Sequence, residues 1–125
     1  MITRSISIDG RDIPFKASAA VPRLYRLKYR RDIMRDLEKL YDAFTQKTET
    51  GKELDVVDLE IFENIAYIMA LHADPEIPDT TDAWLEQFNT FSIYEILPFI
   101  VQLWGLNAET QVESKKNLTA VVNGK

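Results

Sequence analysis

The sequence predicts a mainly α (α+β) domain of about five helices with a short N-terminal β-hairpin, on three observations. Apolar residues alternate at period two around Asp9-Gly10 near the start. From Ser18 onward they recur at helical spacing in successive segments parted by turn residues. A dense apolar segment, Phe91 to Trp104, stops at Gly105 and is followed by a polar run to Lys125.

In the first segment Ile2, Arg4, Ile6 and Ile8 alternate with Thr3, Ser5 and Ser7, and Ile13 and Phe15 follow the Asp9-Gly10 pair. Alternation about a two-residue Asp-Gly turn is a strong hairpin signal, because both central residues must take positive φ. Two strands are marginal alone, so the hairpin must lie on a helix or pair with another chain. Its edges are expected sites of strand addition or self-association.

Ala20, Leu24 and Leu27 fall at i, i+4 and i+7, which predicts a first helix with that stripe toward the core. Arg23, Arg26 and Arg30 then share one side of it, with Tyr25 and Tyr29 further round, away from the core. These five residues are the candidate partner-binding set. Asp32 is placed to cap a second helix striped by Ile33, Leu37, Leu40 and Phe44, and Thr45 to Asp55 reads as a loop.

A third helix, 57–73, carries Ile61, Ile65, Ile68 and the lone His72 on one face and Phe62, Ala66 and Met69 on the next, a width suited to the centre of the core. The proline-punctuated stretch Asp74 to Pro78 ends it, and Asp79 or Thr80 caps a fourth helix bearing Trp84, Leu85 and Phe88. Ser92 with Glu95 three residues on forms a capping box for the fifth. That helix is apolar almost all round and is therefore expected to be buried on every side, with Trp104 as a core anchor. Pro98 is expected to kink or divide it, and Gly105 to terminate it. Residues 1–107 make one domain; 108–125, with only Leu118, Val121 and Val122 among polar residues, read as a flexible tail.

Composition narrows the chemistry. With 125 residues and no cysteine, the chain has size enough for a core and no thiol or cysteine–zinc chemistry. One histidine and no glycine-rich loop leave no triad or phosphate cradle, so no enzyme, cofactor or metal is expected. His72, near a helix end, suits a structural place in which a partly charged imidazole complements the helix dipole. The acidic stretch Asp74, Glu76, Asp79 and Asp82 lacks calcium-loop spacing, and the pairs Glu60 with Glu63 and Asp55 with Asp58 have no pocket signature around them. They read as caps and solvated charge. No secretory signal or bilayer-spanning run is apparent, so a soluble intracellular protein is expected.

Charge is segregated within a net −5: ten basic against five acidic residues from Arg4 to Lys39, and thirteen acidic against two basic from Asp42 to Glu95. Such a dipolar surface can orient partners or further copies of the chain. The run Arg23, Arg26, Lys28, Arg30, Arg31 and Arg35 with Tyr25 and Tyr29 interleaved also suits phosphate neutralisation and base stacking, so a small nucleic-acid-binding regulator is the alternative function. The acidic total and the lack of a reading-helix motif weigh against it.

Several strings resemble a known family. Phe15-Lys-Ala-Ser-Ala-Ala-Val-Pro-Arg-Leu-Tyr-Arg-Leu, Leu59-Glu-Ile-Phe-Glu-Asn-Ile-Ala-Tyr-Ile-Met-Ala, Asp74-Pro-Glu-Ile-Pro-Asp, Phe91-Ser-Ile-Tyr-Glu-Ile-Leu-Pro, Leu103-Trp-Gly-Leu and Glu113-Ser-Lys-Lys-Asn-Leu are similar to the tail assembly chaperones of siphophages and prophages of Gram-positive bacteria. The resemblance spans nearly the whole chain and rests on core and surface strings, not on a catalytic signature. It implies a cytoplasmic helper that binds the tape measure and tail tube proteins during phage tail assembly and is absent from the mature virion. It also implies that a ribosomal frameshift near the C-terminus extends a fraction of the chains.

Overall fold

The computed structural model describes residues 2–50 and 54–105. The order is β1 (Ile2–Ile8), β2 (Arg11–Ala17), α1 (Ala20–Tyr29), α2 (Ile33–Thr50), α3 (Val56–Ala73), α4 (Thr81–Leu85) and α5 (Ile93–Trp104). The mainly helical fold with an N-terminal hairpin is thus the one the sequence predicts. The expected tail, 108–125, lies outside the described residues.

β1 and β2 pair antiparallel from Ile8↔Arg11 to Ile2↔Ala17. Asp9 and Gly10 both take positive φ, 59° and 78°, the mirror-image turn whose twist matches that of the strands. Asp9 also accepts a 2.7 Å hydrogen bond from the Asn89 backbone, fastening the turn to the loop after α4. The inward face carries Ile6, Ile8, Ile13, Phe15 and Ala17, and β2 lies on α3 while β1 lies on α5.

α3 is the axis of the molecule, in contact with β2, α1, α2, α4 and α5. Ile61 and Phe62, and every residue from Ile65 to Ala70, are buried. Its start is capped by Asp55, whose carboxylate accepts from the Asp58 backbone at 2.8 Å. Thr80 caps α4 through a 3.1 Å bond from Ala83, and Asp32 accepts from Met34 and Arg35 at the start of α2. Trp84, 1% exposed, is ringed by Phe15, Tyr67, Phe88 and Phe91 at centroid distances of 5.2–6.4 Å, three of the four edge-on. Edge-on contacts of this kind add to the burial energy of the rings.

Five expectations are corrected. First, the core stripe of α1 is Val21, Tyr25 and half-buried Tyr29, whereas Ala20, Leu24 and Leu27 face outward. Second, α2 runs to Thr50, because no breaker precedes Gly51 and Gln46, Lys47 and Glu49 are adequate helix formers. Third, α4 is only five residues long, so Phe88 reaches the core from the turn that follows it.

Fourth, Ser92 starts α5 through its backbone alone: its carbonyl accepts from Glu95 and Ile96 at 3.2 and 3.0 Å, while its hydroxyl makes no capping bond. Fifth, α5, which runs on undivided through Pro98, is not buried all round. Tyr94, Glu95, Pro98 and Gln102 are exposed, and Trp104 is half-buried with its indole N–H donating to the Met69 sulfur at 3.4 Å. Pro98, which contributes no N–H to the helical ladder, lies on this open side. Gly105 ends the helix at φ 68°, as expected.

Candidate partner-binding face

α1 lies along α3, and two polar contacts set its rotation. Ser18 Oγ is 3.1 Å from His72 Nε2 ahead of the helix. At the other end the Tyr25 hydroxyl donates to Asp36 Oδ2 at 2.8 Å. Arg31 grips the same carboxylate through Nε at 2.7 Å and Nη2 at 2.9 Å. Asp36 is the one buried charged residue among the described residues, and its oxygens are satisfied by these three bonds. Burial, and then the Asp36 hydrogen bond, push the Tyr25 phenol far up, so it stays a donor throughout the usual range. The hydrogen bond to Asp36 likewise raises Arg31.

Tyr29 follows one turn later, its ring 4.9 Å from that of Tyr25. Its hydroxyl is 3.5 Å from Thr81 Oγ1, which donates to Asn64 Oδ1 at 3.0 Å. Burial raises its phenol as well. Thus Tyr25 and Tyr29, expected on the outer side with the arginines, are turned inward. An aromatic ring with a polar tip is well placed in a core when the tip has a partner, and Asp36 supplies it for Tyr25.

Arg23, Arg26 and Arg30 are exposed, as expected, and the structure sets Leu24 and Leu27 beside them, 37% and 51% exposed. The outer side of α1 is therefore an arginine–leucine surface. Arg30 closes the helix in the left-handed region, φ 59°, with its N–H on the Arg26 carbonyl at 2.9 Å. The sequence contained the leucines but gave no sign that they were outside, since either of two stripes satisfies the same period.

The other candidates take structural places. His72 lies under burial and the influence of Lys16, which together hold its pKa below the ordinary imidazole range, so the neutral ring is favoured and the expected partial charge is not. Burial, and then Asp55, raise Asp58; burial, followed by Glu60 and Asp82, raises Glu63. Asp74 caps its own loop by accepting from the Glu76 backbone at 3.1 Å. Among the described residues no group of three or more His, Asp or Glu side chains is placed to hold a metal ion, and no helix is long and apolar enough to cross a membrane.

No protein-family model, curated protein or solved structure matches this chain.

Proposed function

We propose that the protein is a phage tail assembly chaperone, a stoichiometric binder of the tape measure and tail tube proteins that shields them until they meet. It acts in the cytoplasm of the bacterial host, is left out of the mature virion, and performs no covalent step. The observation that carries this reading is the outer side of α1, where exposed Arg23, Arg26 and Arg30 lie beside exposed Leu24 and Leu27. Arginine beside exposed apolar side chains is the composition of a protein-binding surface, where desolvated anchors sit within a charged rim. The partners are those that the resemblance of the strings noted above implies. Base stacking, the basis of the nucleic-acid alternative, loses its platform with Tyr25 inside the core and Tyr29 half-buried.

The test is a pull-down with purified tail tube and tape measure proteins, run beside a gel-shift assay with mixed DNA. Wild-type protein should retain a tail protein and leave DNA unshifted. Replacing Arg23, Arg26 and Arg30 together with Glu should weaken retention while shifting unfolding stability by less than about 0.5 kcal/mol per site, as exposed changes usually do. Retention of neither tail protein, or a DNA shift abolished by the same substitutions, would refute the reading. Expression of the native gene should also yield a second, larger frameshifted product.

A further inference from the structure

The hairpin has two outer edges, and they are not equivalent. Because Ile8↔Arg11 closes a two-residue turn, that pair and every second one after it exchange the ladder hydrogen bonds. The intervening pairs, Ser7↔Asp12, Ser5↔Pro14 and Thr3↔Lys16, turn their backbone groups outward. Pro14 has no N–H to offer, so the outer edge of β2 is interrupted at its centre. β1 offers a series from Thr3, Ser5 and Ser7, all exposed, and among the described residues their outward groups make no backbone–backbone bond beyond the hairpin, the Thr3 carbonyl accepting only a long 3.4 Å bond from the Arg4 side chain.

Beneath that same edge lies a hollow of about 280 Å³, lined by Ile2 and Arg4 of β1 and by Phe99, Gln102 and Leu103 of α5. Ile2 is 42% exposed there. A strand added to β1 continues the sheet over α5, and its inward side chains, every second residue, descend into this hollow. Among the described residues the Arg4 guanidinium makes one hydrogen bond, 3.4 Å to the Thr3 carbonyl, and no ion pair.

We propose that β1 receives an extended segment of a partner protein by strand addition, and that the segment carries an apolar residue over Phe99 and Leu103 with an acidic residue two positions away beside Arg4. A second copy's β1 fits poorly, since Ile2–Ile8 brings another Arg4 and no acid. The inference rests on the reading of the chain as a stoichiometric binder and names the kind of segment bound.

The probe is a capped peptide of alternating Val and Thr with one Glu two positions from the central Val, titrated into the isotope-labelled full chain and followed by amide NMR shifts. Shifts should concentrate in β1 and α5. Ser5→Pro, which removes an outward N–H without touching the β1–β2 ladder, should weaken binding about tenfold or more. Lys for Glu in the peptide should cost about tenfold, and Arg4→Glu should restore the Lys peptide, the sign reversal expected of a cross-strand charge pair. Unchanged thermal unfolding of both variants shows that the fold is intact.

Shifts elsewhere, or affinity indifferent to Ser5→Pro and to the charge swap, overturn the site. If deleting residues 106–125 alone raises peptide affinity about tenfold, the chain's own C-terminal segment is the occupant and the partner assignment is overturned. A pull-down with the same variants separates the two readings. Tail proteins retained equally by wild type and both variants would remove the strand site and leave the chaperone function. Charge-dependent peptide binding with no tail protein retained would do the reverse.

Discussion

The Tyr25 hydroxyl and the Asp36 carboxylate, 2.8 Å apart and both buried, join α1 to α2 and decide which side of α1 faces the core. With Arg31 holding both oxygens of the carboxylate, Nε on Oδ2 and Nη2 on Oδ1, the turn between the two helices closes around a satisfied polar centre. The outward placement of Leu24, Leu27 and the arginines follows from that rotation.

Asp36→Ala should be among the most damaging polar substitutions, because it leaves the Tyr25 hydroxyl buried without an acceptor. A loss of about 2–3 kcal/mol is expected, and Tyr25→Phe, which leaves Arg31 on the carboxylate, should cost about 1 kcal/mol. Arg31 is too exposed for its pairing to add much to the first figure. Urea unfolding of both single variants and the double variant would give their coupling; strictly additive losses would contradict the shared centre.

Trp84→Ala should cost about 3–5 kcal/mol, a large part of the roughly 5–15 kcal/mol typical of a whole domain. Trp104→Ala should cost clearly less, since its ring is half-buried at the end of α5. Thermal unfolding of the two variants side by side checks the order, and the reverse order would restore Trp104 as the anchor.

Arg30 and Gly105 hold the same left-handed geometry, φ 59° and 68°, so exchanges there should have opposite signs. Arg30→Gly relieves a strained side chain and should stabilise by up to about 1 kcal/mol. Gly105→Ala should destabilise by about 1 kcal/mol through the backbone alone, because an added Cβ would meet no atom of the described residues within 4 Å. Calorimetry on the two variants would show the contrast.

His72 gives the stability a pH dependence of definite sign. Its folded pKa is depressed by burial and Lys16, so the unfolded chain takes up the proton first as pH falls. Stability should be full above the ordinary imidazole value of about 6.5 and decline as pH falls below it. Asp58 and Glu63, raised mainly by burial, act in the opposite sense at lower pH. Comparison with His72→Gln isolates the histidine: the variant should lose the decline below about pH 6.5.

Local chemistry was sufficient for the elements themselves. Asp9-Gly10 specifies a turn with two positive φ values, Asp32 and Thr80 offer side-chain oxygens where a helix start has orphan N–H groups, and Gly105 takes a conformation that costs other residues more. The breadth of apolar residues on 61–70 likewise marked α3 as central. These features depend on neighbours within a few residues, so they are legible in the sequence. Rotation and depth depend on distant partners. Tyr25 displaced Leu24 and Leu27 from the core because Asp36, eleven positions on, satisfies its hydroxyl. Trp84 and not Trp104 became the anchor because Phe15, from the hairpin, and Phe91 meet it in space. The hollow under β1 exists only once α5, some ninety residues later, is laid against that strand. An apolar period records that a helix has a face, and only the packing of the other elements determines which of two adequate faces is buried.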